Sequence, residues 1–106
     1  MVVVTGGDKP HIGAVSIATP KTSGAGKSDG SPSPSVIAIP GHKEYQLALD
    51  ASQQLARAVQ STVAVSVGIH IDDISPDLLE MVVDQFYVLI DRVDSKLSSK
   101  IEVGQE

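Results

Sequence analysis

The stretch Thr62–Ile71 alternates without a break. Val63, Val65, Val67, Ile69 and Ile71 fall on one side of an extended chain, and Thr62, Ala64, Ser66, Gly68 and His70 on the other. A strand with one aliphatic face and one small, polar face is covered on one side only. The rest of the chain must therefore supply the layer that buries the valines. With 106 residues there is room for one small domain, 1–106, and one core.

The flanking segments can do this. Val2–Thr5 reads as a short strand closed by the turn Gly6-Gly7-Asp8-Lys9-Pro10, and Ile12–Thr19 as a second strand. Pro20–Ser35 is rich in Gly, Ser, Pro and Lys and is expected to be a flexible, low-complexity hairpin loop. Val36–Ile39 is a third strand, stopped by Pro40-Gly41. Lys43–Gln60 spaces Ala48, Ala51, Leu55 and Ala58 as one narrow helical stripe.

After Asp72-Asp73, Ser75-Pro76-Asp77 is a helix start, with Ser as N-cap, Pro at the first position and Asp near the positive dipole end. That helix should run to about Ser98. It carries one stripe of Leu78, Val82, Phe86, Leu89 and Val93, and a second of Leu79, Val83, Tyr87 and Ile90. A sheet face needs one stripe, so the other is expected against another subunit. The expected fold is α+β: a small, mostly antiparallel sheet with two helices on one face, in the order β-β-β-α-β-α.

Composition excludes several classes. The net charge is −5, with no basic patch and only Tyr45, Phe86 and Tyr87 as aromatics, which argues against nucleic-acid binding. No apolar run is long enough to span a membrane. The absence of Cys removes disulfides and thiolate metal sites and points to a reducing, cytoplasmic setting.

All three histidines sit at or beside strand ends, near Gly or Pro: His11 in Pro10-His11-Ile12-Gly13, His42 in Pro40-Gly41-His42-Lys43, and His70 in Gly68-Ile69-His70. Gly6 and Gly7 can take positive φ and let a ligand approach, and their amides can form an anion-binding nest. His11 could donate to a phosphate or to a flavin carbonyl. The plain alternative is a tight turn with an exposed histidine. Gly68 would keep a cleft open beside His70; the plain alternative is a half-buried histidine bonded to a carbonyl. Residues Gly41 and His42 precede a helix, where free amides attract anions, or they form a simple turn.

Three histidines could also hold zinc, but none share the spacing that would bring them together locally. The P-loop-like Ser23-Gly24-Ala25-Gly26-Lys27-Ser28 fails because Lys21 stands where the pattern needs Gly. Asp72-Asp73 reads as a solvated turn, and no catalytic constellation is visible.

The Val4-Thr5-Gly6-Gly7…Pro10-His11-Ile12-Gly13 segment, extending the strand Val2–Val4, closely resembles the VVVTGG…PHIG stretch of the prenylated-flavin chaperone family. These are the D-subunit proteins of gallate decarboxylase systems. Gly68-Ile69-His70 follows at the expected distance. The resemblance implies a fold similar to proteasome-assembly chaperones. It also implies a small, non-catalytic protein that binds prenylated FMN, or FMN, and delivers it to a UbiD-type decarboxylase. The matching positions are Gly6, Gly7, His11, Gly13, His42 and His70, which become the expected cofactor-binding residues. Family members usually have a further strand before this segment, so either the start is truncated or that strand is replaced across an interface. A homodimer is expected. The rival readings are an assembly chaperone or accessory subunit without cofactor, and a His-ligated metal-binding protein.

Overall fold

The computed structural model describes residues 1–9, 11–20, 33–39 and 44–104. Its elements are β1 (Val2–Gly7), β2 (Ala14–Thr19), β3 (Ser33–Ala38), α1 (Tyr45–Val59), β4 (Val63–His70) and α2 (Pro76–Gly104). The element order and α+β class are those expected. Residues 21–32 of the expected flexible loop lie outside the described residues, whereas Ser33–Ser35 belong to β3 rather than to the loop.

The four strands form one mixed sheet in the order β1-β4-β2-β3. β2 pairs antiparallel with β3 and β4, and β1 pairs parallel with β4, Val2 opposite Val65 and Gly7 opposite His70. The alternating strand therefore lies inside the sheet. Its valines face α1 with Ala14, Ser16 and Ala18 of β2. Small residues at this layer let helix and sheet approach closely. Ala48, Ala51, Leu55 and Ala56 are fully buried, and the Ser16 and Ser52 hydroxyls satisfy each other at 2.7 Å. The opposite face is uncovered: Val3, Ile17 and Ile37 are 59%, 48% and 74% exposed.

α1 ends at Gln60 in the left-handed conformation (φ 52°), whose side-chain amide donates to the Arg57 carbonyl. α2 begins as expected: the Leu78 amide donates to the Ser75 hydroxyl at 3.2 Å, and Asp77 sits in the first turn.

The packing of α2 departs from expectation. α1 lies against β2, β3 and β4, and α2 runs along α1 instead of on the sheet. Hydrogen bonds set the alignment: Tyr87 Oη donates to Asp50, and Gln54 Nε2 donates to Asp91 and Asp94 at 2.9 and 2.8 Å. Neither expected stripe is buried as a unit. Phe86 and Ile90, one from each, enter the core, while Leu78, Leu79, Met81, Val88 and Leu89 remain exposed. The reason is geometric. At 1.5 Å per residue the 29-residue α2 is almost twice as long as the 15-residue α1, so Leu78, Leu79 and Met81 overhang it, while Val88 and Leu89, level with α1, sit off the side buried by Phe86 and Ile90. Among the described residues, no helix is long and apolar enough to cross a membrane.

Candidate functional site

The C-terminal ends of the parallel strands β1 and β4, the segment leading into β2 and the N-terminus of α1 meet at one end of the sheet. Pairing builds this end. The Gly13 amide donates to the Val67 carbonyl at 2.9 Å, and the Ile39 amide to the Gly13 carbonyl at 2.8 Å, extending the ladders on both sides of β2. His11 is thereby carried to the end of β4. Its ring stands edge-on to that of His70, centroids 5.5 Å apart and planes at 87°.

Each imidazole bonds a carboxylate. His11 Nε2 lies 3.0 Å from Glu44 Oε1, a mostly buried pair, and His70 Nε2 lies 2.8 Å from Asp72 Oδ1 in a more exposed one. Asp8 ties the second pair to β1. Its amide donates to the His70 carbonyl at 2.6 Å, and its carboxylate accepts from the Asp72 amide at 2.8 Å. The backbone of residues 70–72 is thus held from both sides, which fixes where Asp72 meets its histidine.

The glycines divide into two kinds. Gly7 has φ +91°, and a Cβ there would run into the His70 carbonyl. At Gly68 a Cβ would strike the His11 carbonyl, and at Gly13 the Glu44 carboxylate. Gly68 does not hold a cleft open: the protein's own chain fills the space. Gly6 differs, since nothing lies within 4 Å of a Cβ built on it.

Of the expected site residues, Gly6, Gly7, His11, Gly13 and His70 come together here. His42 lies outside the described residues, with Pro40, Gly41 and Lys43. The sequence reading missed Asp8, Glu44 and Asp72. His70 and Asp72 share a face of an extended chain at i, i+2, a signal that could have paired them. Glu44 and Asp8 are brought in from 33 and 64 residues away, where no local spacing reports them.

Chemically this end offers two oriented imidazoles, three carboxylates and exposed apolar side chains, with Ile12 58%, Tyr45 45% and Ile39 43% exposed. Among the described residues no three His, Asp or Glu side chains gather as they would around a metal ion. Of the amides in the turn after β1, that of Asp8 is used on the His70 carbonyl.

A family model described as "Prenylated flavin chaperone LpdD-like domain" matches residues 1–98. No curated protein matches the chain significantly.

Proposed function

Because the chain belongs to the prenylated flavin chaperone LpdD-like domain family, we propose that it holds prenylated FMN, or FMN, at the histidine end and hands it to a UbiD-type decarboxylase. The observation that carries this reading is the convergence of His11 and His70 at the C-terminal ends of the parallel strands β1 and β4.

The residues fit the flavin ring better than its phosphate. A ring system is flat, largely apolar and edged with carbonyl and N–H groups. Nothing lies within 4 Å of a Cβ built on Gly6, and the exposed Ile12 and Tyr45 at the same end of the sheet offer apolar contact. His70, whose side chain is 38% exposed, is placed to bond a ring edge. The carboxylates of Asp8, Glu44 and Asp72 would repel a phosphate, for which Lys9 and Lys43 are the cations nearest in sequence. When bound, the cofactor carries its own ring chemistry to the recipient enzyme; this chain binds, orients and shields it.

Fluorescence titration with FMN and prenylated FMN tests the reading. Saturable binding is expected, weakened about tenfold by His70→Ala, a loss typical of one hydrogen bond to a ligand. Gly6→Val should weaken it further by filling the open surface, while Val3→Ala on the uncovered sheet face should leave it unchanged. Loaded protein mixed with cofactor-free decarboxylase should restore activity faster than free cofactor. If neither flavin binds saturably, the favoured reading becomes an assembly chaperone without cofactor, using the exposed Leu78, Leu79 and Met81.

A further inference from the structure

On the reading that this chain hands over a flavin, we infer that the first turns of α2 form a docking shelf for a basic, apolar protein surface: the rim of the cofactor entrance on the recipient enzyme. α1 and α2 run side by side in the same direction, because the pairs Asp50–Tyr87 and Gln54–Asp91 share one offset of 37 residues. That offset sets Tyr45, the first residue of α1, level with Val82. Residues 76–81 therefore project beyond α1 by about 9 Å. They do so at the end where Glu44, next to Tyr45, bonds His11.

The packed seam of α2 continues into this projection. Leu97, Val93, Ile90, Phe86, Val83 and Leu79 follow one another at alternating four- and three-residue steps, which keeps them in line along one side of a helix. Where α1 lies alongside, the seam is covered: Phe86 and Ile90 are buried, and Val93 and Leu97 pack against the core. Where α1 has ended, Leu79 is 50% exposed, with Leu78 and Met81 exposed beside it. An apolar seam thus outruns its partner within the chain.

Charge selects the occupant. From the end of β4 to Asp91 every charged side chain is acidic, and Asp72, Asp73, Asp77, Glu80, Asp84 and Asp91 are all exposed. Arg92, the first cation of α2, lies about three turns beyond Met81. Among the described residues, the turn after β1 adds Lys9 beside Asp8. A second copy placed shelf to shelf would set acid against acid, and a flavin phosphate would meet the same repulsion. A protein surface with Lys or Arg around an apolar centre answers both the leucines and the acids. The apolar contacts supply affinity, and the charges supply orientation and encounter rate. Docking here brings the recipient against the end that presents His11 and His70, so the cofactor has a short path across.

Interferometry with the immobilised full chain and a cofactor-free UbiD-type decarboxylase, with no flavin added, reads docking by itself. The wild type should bind saturably and more weakly as salt rises. Leu79→Ser, and separately Glu80→Lys with Asp84→Lys, should raise the dissociation constant about tenfold or more, whereas Lys96→Glu with Lys100→Glu, far along α2, should change it less than about twofold. FMN titration of these variants should match the wild type, so a failure to bind flavin and a failure to dock are read apart. Circular dichroism should report an unchanged fold, because these positions are exposed. Absence of saturable docking overturns the proposal, as does docking that tolerates both Leu79→Ser and the charge reversal. Weakened FMN binding in Leu79→Ser would instead assign the shelf to the flavin. A wild-type dimer in sedimentation that Leu79→Ser dissociates would assign it to a second copy. Either result also overturns the proposal.

Discussion

Gly6 and Gly68 form a matched pair of perturbations. Both are strand glycines with no positive φ recorded, so Ala is conformationally acceptable at either. At Gly6 an added Cβ meets nothing within 4 Å. Gly6→Ala should therefore be neutral or stabilising by roughly 0.4–1 kcal/mol, through lost freedom in the unfolded chain. At Gly68 the added carbon falls on the backbone carbonyl of His11, which cannot swing aside as a flexible side chain would. The segment His11–Gly13 must shift, endangering the Gly13–Val67 bond and the His11–Glu44 pair. Overpacking costs about 1–3 kcal/mol, and a lost hydrogen bond adds about 1. Gly68→Ala should thus be less stable than Gly6→Ala by about 2–4 kcal/mol. In a domain of about 100 residues each kcal/mol moves the midpoint roughly 4–8 °C, so thermal melts and urea titrations resolve the difference easily. Equal stability of the two variants would refute the close crossing of His11 over β4.

Two further outcomes follow from single contacts. The Tyr87 phenol is pushed up to about 12, mainly by burial and then by its hydrogen bond to Asp50 and that residue's charge. A raised folded-state value contributes stability that is fully present below about pH 10 and is lost as pH climbs through 12. Urea midpoints should fall across that window by the equivalent of about 1–2 kcal/mol after allowance for solvent screening, and Tyr87→Phe should flatten the fall. Asp8→Ala should cost about 1 kcal/mol and accelerate hydrogen exchange of the Asp72 amide, whereas Asp8→Asn, which keeps an acceptor oxygen, should cost less than half of that.

The parts of the fold that could be read in the sequence are those written in local periodicity. Thr62–Ile71 announced its strand because period-two alternation needs no partner to be seen, and Ser75-Pro76-Asp77 announced its helix start through side-chain chemistry confined to one turn. The support for α2 was not legible. Two apolar stripes fit a helix on a sheet as well as a helix along another helix, and only the lengths of α1 and α2 in three dimensions separate those cases. Gly68 was misread for a related reason. A glycine reports that something comes close, but whether that neighbour is a ligand or the protein's own carbonyl depends on where His11 crosses. The histidine end was found because its glycines and histidines are unusual together. Asp8 and Glu44 were overlooked because acidic residues in turns are ordinary until a distant histidine or amide is brought to them.

The parallel pairing of β1 with β4 has a kinetic consequence. β2, β3, α1 and β4 are joined through neighbours in sequence and can assemble without the N-terminal strand. β1 must find a partner about 60 residues downstream, the highest-separation pairing in the sheet, and it closes the largest loop. It is also an edge strand to which α1 makes no close approach. β1 is thus the natural last piece to dock and the first to detach, in an excursion that leaves the rest of the sheet standing. Gly6, Gly7 and Asp8 travel with it while His70 stays behind on β4. One wall of the histidine end therefore belongs to a less protected cooperative unit than the other, and amide exchange along Val2–Gly7 should run ahead of exchange along Val63–His70.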